Sequence, residues 1–417
     1  MSPSVLGHLA LGYQLVWNRV RQPAAVMLFI DREDDVAVDA AHLLRTLDQT
    51  WSAQSPALIL CVQSGRLLLD LLEHAAPDGP WIAVQEDHLA DPAVVARVQA
   101  AHQRGLQLLW RGEPGHRASA ATAACFERSV ISINAGEALL GLRVSLKKNN
   151  GGPGTPDDPI KSPVLADQIF EAVPSRILVD HCLDQQAAWG VAGWPAEDVL
   201  SSYRQQPIQP DRQTIVRLVE ITDADAPLET IAHALAEEPV LVYRFLLHAN
   251  SAALGLRNDV ESMRHGLMLL GLSNFKRWLL EQLPHAGSDL NLQPVRGAMV
   301  LRARLTELLL DAGEEDKLRS EVYLCGLLSQ IDLVLGEPLA AALLRFPVSE
   351  RITAAILGKT GPYAPFLELA AALEYPHMRS VPALCEAHGV DIGEVNRVLL
   401  RVLAHLPAHT GKGRVPD

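Results

Sequence analysis

Basic residues are in deficit. Lysine and arginine number 36 against 49 aspartates and glutamates, for a net charge of −13. Nonspecific nucleic-acid binding rests on neutralising phosphates, so a DNA- or RNA-binding role is disfavoured. The basic pairs Lys147-Lys148 and Lys276-Arg277 are read as solvated surface. The five cysteines, Cys61, Cys125, Cys182, Cys325 and Cys385, stand far apart and form no CxxC. They read as small buried hydrophobes, and no histidine or aspartate accompanies them at the spacing a zinc site requires. Apolar runs such as Leu267–Leu272 stop far short of the ~20 residues that cross a bilayer, so no membrane span is expected. The opening MSPSVLGHLALGYQ lacks a basic stretch ahead of an apolar one, so the expectation is no secretory signal and a cytoplasmic location.

What is present is apolar bulk. With 417 residues and 48% hydrophobic content, the chain has material for two cores, hence a multidomain protein. In residues 1–204 short apolar runs alternate with helical patterns. Strands are expected at Leu9–Trp17, Ala57–Val62, Trp81–Gln85, Leu106–Trp110 and Val130–Ile133, with Ile177–Val179 and Gly190–Trp194 closing the series. Helices are expected at Ala37–Leu47, Gly65–His74 and Pro92–Gln103. This order implies parallel β-α units, enough of them to close a barrel. Residues 147–163 are rich in Gly, Pro, Asn and Asp and read as a loop within that domain. The prolines of 205–212 suit a linker. From 213 to 408 helix follows helix, an all-α bundle, and 409–417 read as a flexible tail.

Residues 239–283 carry the sharpest signal. Leu241, Phe245, Leu246, Met263, Leu267 and Leu270 recur at helical spacing, punctuated by Asn250-Ser251, Gly255 and Gly271-Leu272-Ser273. Met263, Met268 and Trp278 read as core, and His248 as a helix-end residue near free carbonyls. Asn250 is expected to end one helix and Ser251 to bond backbone in the turn, with a partner-binding surface as the functional alternative. The order of elements resembles the HDOD domain of bacterial signalling proteins. That resemblance implies a helical domain related to HD metal phosphohydrolases whose metal-binding residues have gone. Where a catalytic relative would carry His-Asp, the run Gly326-Leu327-Leu328-Ser329-Gln330-Ile331-Asp332 has Ser329-Gln330, neither a strong metal ligand.

Near the start of the first half stands Gly12-Tyr13-Gln14-Leu15-Val16, and on that motif this half resembles EAL domains, barrel phosphodiesterases that hydrolyse cyclic di-GMP. The run is similar to their opening motif, with Gln14 at a metal-binding glutamate and Asn18 at an arginine that helps hold the dinucleotide. By the same resemblance Val62 falls about where a metal-binding asparagine stands, and Gln85 replaces a second glutamate. Trp110-Arg111-Gly112 covers an aspartate pair, with Arg111 adding positive charge. A two-metal site needs several carboxylates to hold dications ~4 Å apart. Glutamine keeps the shape of glutamate without its charge, and valine offers no ligand atom. Glu86-Asp87-His88 reads as a polar turn before a helix starting at Asp91-Pro92, and Asp180-His181 has the wrong order for an HD pair.

The resemblance as a whole is to bacterial proteins that fuse a degenerate EAL domain to an HDOD domain. It implies a degenerate EAL-type β/α barrel followed by an HD-like helical bundle. The expected function is non-catalytic: an adaptor contacting other signalling proteins, with no metal and no cofactor. The alternatives are a cyclic di-GMP receptor using the degenerate cleft, and an active phosphodiesterase.

Overall fold

The computed structural model describes residues 5–32, 38–113, 116, 118–149, 161–204, 207–251, 260, 262–310, 316–345, 347–376, 378 and 380–407. The expected tail at 409–417, most of the 147–163 loop and the first two residues of the 205–212 linker lie outside them. By internal contacts the chain divides into one unit of 1–198 with 372–417 and another of 199–371.

Eight strands close the first unit: β1 (Leu9–Trp17), β2 (Pro23–Arg32), β3 (Ala57–Val62), β4 (Trp81–Gln85), β5 (Leu108–Gly112), β6 (Arg128–Ser132), β7 (Ile169–Glu171) and β8 (Gly190–Ala192). Strands β2 to β8 run parallel in sequence order, but β1 pairs antiparallel with both β2 and β8, against the expected uniform parallel sheet. The cause is local. Only Asn18–Gln22 separates β1 from β2, and a parallel crossover needs a dozen or more residues. The turn is fixed by Asn18, whose Oδ1 accepts the backbone N–H groups of Val20 and Gln22, each at 3.0 Å. Arg21 takes a left-handed φ of 56° in that turn, and its buried guanidinium donates to Asp180 and Asp184 at 2.6–2.7 Å.

Helices α1 (Ala40–Thr50), α2 (Gly65–His74), α3 (Pro92–Gln103), α4 (Ala135–Asn149), α5 (Arg176–Asp180) and α6 (Ala196–Ser201) follow β2, β3, β4, β6, β7 and β8. Their starts are chemically ordinary: Asp39, Ser64 and Asp91 each accept a backbone N–H of the first turn, and Pro92 opens α3. Ile177–Val179, expected as a strand, lies inside α5, whose N-cap is Ser175. The inward faces of the strands fill the lumen with Ala10, Val16, Met27, Phe29, Ile59, Cys61, Ala83, Leu109, Val130, Ile169 and Ala192.

The second unit is helical: α7 (Arg212–Asp223), α8 (Leu228–Ala236), α9 (Pro239–Ala249), α10 (Met263–Leu270), α11 (Leu272–Gln282), α12 (Gln293–Leu309), α13 (Asp316–Leu328), α14 (Ile331–Leu335), α15 (Leu339–Leu343), α16 (Glu350–Gly358) and α17 (Ala364–Leu373). Its centre holds Phe245 against Phe275 and Trp278, ring centroids 5.5 Å apart in both pairs. Gly326 lets α13 approach α12 closely, because a Cβ there would stand 2.6 Å from the Ala303 Cα. Met263 and Trp278 are buried as expected, but Met268 is 64% exposed, since it lies on the outer side of α10.

The helical half does not run to 408 as a single body. Helices α18 (Ser380–His388) and α19 (Ile392–Ala404) belong with the barrel. Asn396, wholly buried on α19, donates through Nδ2 to the carbonyls of Leu6 at 2.8 Å and Leu9 at 2.7 Å. Hydropathy marks α19 as amphipathic but does not say which unit receives its apolar face. Replacing Asn396 by Ala removes two buried hydrogen bonds. It is expected to destabilise the barrel unit by about 2 kcal/mol, seen as an earlier urea transition of barrel tryptophan fluorescence in the full chain.

Candidate functional site

The C-terminal ends of β2–β8 form a mouth, and alternation along each strand decides what reaches it. Register pairs Gln85 with Arg111 and Ser132 with Glu171, all four on the inward side. Arg111 grips Glu171 with two donors, Nε to Oε1 at 3.1 Å and Nη2 to Oε2 at 2.9 Å. Ser132 donates its hydroxyl to the same carboxylate. The guanidinium also lies 5.3 Å from the ring centroid of Phe29. Both charged side chains are largely buried, at 15% and 10% exposure. A cavity of about 390 Å³ opens over them, lined also by Glu86, Asp87, Gly112, Glu113 and His116. There His116 Nδ1 meets the Glu86 carboxylate at 3.0 Å.

Below Arg111 sits Cys61, buried; burial pushes its thiol up to about 12, with Arg111 pulling the other way and Glu171 adding to the rise. It is therefore a neutral thiol at ordinary pH. Gln14 shares the inward side of β1 with Ala10 and Val16, and its Nε2 lies 3.4 Å from the position a Cβ would take on Gly193. Among the described residues, no group of three or more His, Cys, Asp or Glu side chains is placed to hold a metal ion.

Of the positions singled out by the EAL resemblance, the structure brings Gln85 and Arg111 to the cavity and points Gln14 into the lumen. Val62 is not a lumen residue. Ile59 and Cys61 take the inward side of β3, so alternation turns Val62 outward. Asn18 is far from the mouth, because antiparallel β1 carries it to the opposite end, where it fixes the hairpin. An arginine lost at Asn18 therefore says nothing about ligand capture at the mouth. Glu171, the partner that defines the site, was not singled out in the sequence. It ends a three-residue strand, too short to show periodicity. Glu86-Asp87-His88 forms the expected turn before Asp91-Pro92, yet Glu86 and Asp87 also line the cavity. Asp180 serves Arg21, and His181, fully buried, joins Ser162 at 2.9 Å to Gln185 at 2.8 Å.

In the helical unit the expected sites are structural in geometry. Asn250 caps α9 and clasps Val260: its Nδ2 donates to the Leu246 and Val260 carbonyls, and its Oδ1 accepts the Val260 N–H at 2.8 Å. Ser251 Oγ is buried and finds no partner among the described residues. Ser329 donates to the Gly326 carbonyl at 2.7 Å, and Gln330, with its amide oxygen turned to Arg302, accepts two guanidinium N–H groups at 3.1 Å. His248 lies in the last turn of α9, at the helix end as expected, and stacks on Trp278, centroids 5.8 Å apart; burial lowers its pKa. Lys276 pairs with Asp223, and Arg277 donates to Asn274 at 2.9 Å, which leaves that basic pair engaged at the surface. A buried ion pair links Arg296 to Glu238 at 2.8 Å; Glu238 caps α9, and Arg296 also donates to the Gln209 carbonyl at 2.7 Å.

Residues 208–344 match the HDOD domain. Two curated relatives are similar over part of the chain. YuxH of Bacillus subtilis is 26% identical over 162 residues, covering 38% of this chain and 39% of the relative. The cyclic di-GMP phosphodiesterase CdgJ of Vibrio cholerae is 19% identical over 198 residues, covering 47% and 46%. The chain thus spans less than half the length of either. Among solved structures, the MmoQ response regulator of Methylococcus capsulatus shares 16% identity at a TM-score of 0.38, covering 47% of this chain and all but 1% of that one. The BlrP1 calcium and cyclic di-GMP complex from Klebsiella pneumoniae shares 13% at a TM-score of 0.30, covering 47% and 57%. The HDOD segment lies wholly within the helical unit, 199–371. Among the described residues no helix is long and apolar enough to cross a membrane.

Two outcomes are expected from this geometry. Arg111→Ala strands Glu171 and should cost about 3–5 kcal/mol, whereas Arg111→Met with Glu171→Leu should recover most of that loss in urea unfolding. Burial pushes the thiols of Cys61, Cys182 and Cys325 up to about 12 from an ordinary 9.0. The unfolded thiols ionise first, so this contribution to stability falls as pH rises between those values. Native iodoacetamide labelling at pH 8 should be at least about 100-fold slower than in denaturant.

Proposed function

We propose that this chain is a non-catalytic signalling adaptor, an inactive EAL-like barrel joined to an HDOD domain whose output is contact with other signalling proteins. The observation that carries the reading is the Arg111–Glu171 pair. A permanently charged guanidinium holds the one carboxylate that ends β7 on the lumen side, so that carboxylate has its counter-charge and, with Ser132, accepts three hydrogen bonds. Binding a dication there would require expelling the arginine or accepting like-charge repulsion at close range. Gln85 alongside is neutral and adds no anionic ligand. In the helical half Ser329 and Gln330 are spent on a helix end and on Arg302, which supports the same reading.

A second reading is favoured by the open cavity beside Arg111 and by the name of the relative CdgJ: a receptor for cyclic di-GMP. An arginine able to pair with phosphate remains in the mouth, though Glu171 competes for it.

The test uses the full chain at tens of micromolar with cyclic di-GMP and Mg²⁺ or Mn²⁺. The expected outcome is no linear dinucleotide above the enzyme-free control after hours, by chromatography. Turnover that scales with protein concentration would overturn the adaptor reading. Metal-free calorimetry separates the two non-catalytic forms: saturable heat below about 100 µM nucleotide, a binding free energy of roughly −5.5 kcal/mol, establishes the receptor.

A further inference from the structure

The end of the barrel away from the mouth carries a larger cavity, about 750 Å³. That volume falls within the ~300–1,000 Å³ usual for small-molecule sites. The cavity lies entirely in the first unit, between the C-terminal ends of α1 and α2 and the starts of β3 and β4. Leu44, Leu47 and Leu58 make its lining apolar, with Trp51 and Trp81 half-buried beside them. Trp51 is fixed in place by its Nε1–H, which donates to the Pro56 carbonyl at 2.6 Å. Trp81 packs on Trp189 with centroids 5.4 Å apart, and the Arg128 guanidinium lies 5.8 Å from the Trp81 centroid. The aromatic base of the barrel thus already holds one cation.

A helix C-terminus carries partial negative charge, which a nearby cation offsets. At α2 the cation is Arg104, which donates to the Glu73 carbonyl at 2.6 Å and to the Leu72 carbonyl. At α1 no basic residue stands in the last turn, and Asp48 stands there instead. An acid in that place adds to the negative end of the helix, at a local cost in stability. Asp78, in the loop after α2, lines the same cavity. Neither aspartate side chain has a hydrogen-bond or ion-pair partner among the described residues. Arg45 and His74 stand on the rim as well, but neither pairs with Asp48 or Asp78. We propose that this cavity binds a small organic cation with an apolar body, an aryl- or alkylammonium compound. The apolar lining takes the body. The charge is taken by Asp48, Asp78, the end of α1 and the face of Trp51. The site is separate from the mouth, since β4 runs from Trp81 at this cavity to Gln85 at the other. It therefore stands or falls independently of the adaptor and receptor readings.

The probe is benzyltrimethylammonium, whose charge is the same at every pH. It is titrated into the full chain at low salt, followed by ligand-observed NMR, with benzyl alcohol and phenylacetate as neutral and anionic comparisons. The cation should bind saturably with a Kd below about 1 mM, and both comparisons at least about tenfold more weakly. A weaker Kd, or a cation bound no better than benzyl alcohol, would overturn the proposal. Replacing both carboxylates, Asp48→Asn with Asp78→Asn, should weaken the cation at least about tenfold while the thermal midpoint holds or rises. Unchanged affinity in that folded variant places the cation elsewhere and sinks the idea. Arg45→Gln removes a like charge and should tighten the cation at least about twofold, a gain that misfolding cannot produce. Should the double variant fail to fold, Arg45→Gln decides, and an affinity at or below wild type counts against the site.

Discussion

Glu171 projects into a lumen that is otherwise packed with aliphatic and aromatic side chains, and its charge there is tolerable because Arg111 meets it with two donors. The rest of the mouth is arranged around that neutralisation. Ser132 completes the carboxylate, Phe29 supports the guanidinium, and Cys61 beneath stays an uncharged thiol. The counter-charge of that carboxylate is thus a fixed organic cation, held in place by the barrel itself.

The helical unit uses its polar residues in the same structural manner. Ser329 and Gln330 secure a helix end and satisfy Arg302, and Asn250 ties the end of α9 to Val260. Each is a polar group whose hydrogen bonds are answered by backbone or arginine, which holds a defined local geometry.

Legibility in the sequence followed length and periodicity. Ala57–Val62, Gly65–His74, Trp81–Gln85 and Pro92–Gln103 can be read off to the residue, since short apolar runs mark the strands and Ser64 and Asp91 cap the helix starts. Pro23–Arg32 is as apolar as its neighbours but follows β1 across five residues, and a reading that expects a helix between strands passes over it. Antiparallel β1 carries Asn18 to the end of the barrel away from the mouth, and alternation along β3 turns Val62 outward. Ile169–Glu171 is too short for any pattern, so the residue that pairs with Arg111 could be found only through the sheet register. The return of α18 and α19 to the barrel was equally hidden, because an amphipathic helix does not name its partner.

That return has a consequence for how the molecule is made. Asn396 closes on Leu6 across 390 residues of chain, so one wall of the barrel is supplied last. Everything between 199 and 371 emerges from the ribosome before that wall exists, and it can fold through contacts within its own segment. The strands, already synthesised, must wait for α19 with the apolar surface around Leu6 and Leu9 uncovered. Contacts this distant in sequence form slowly. The nascent barrel is therefore the part of the chain most in need of protection from aggregation during synthesis.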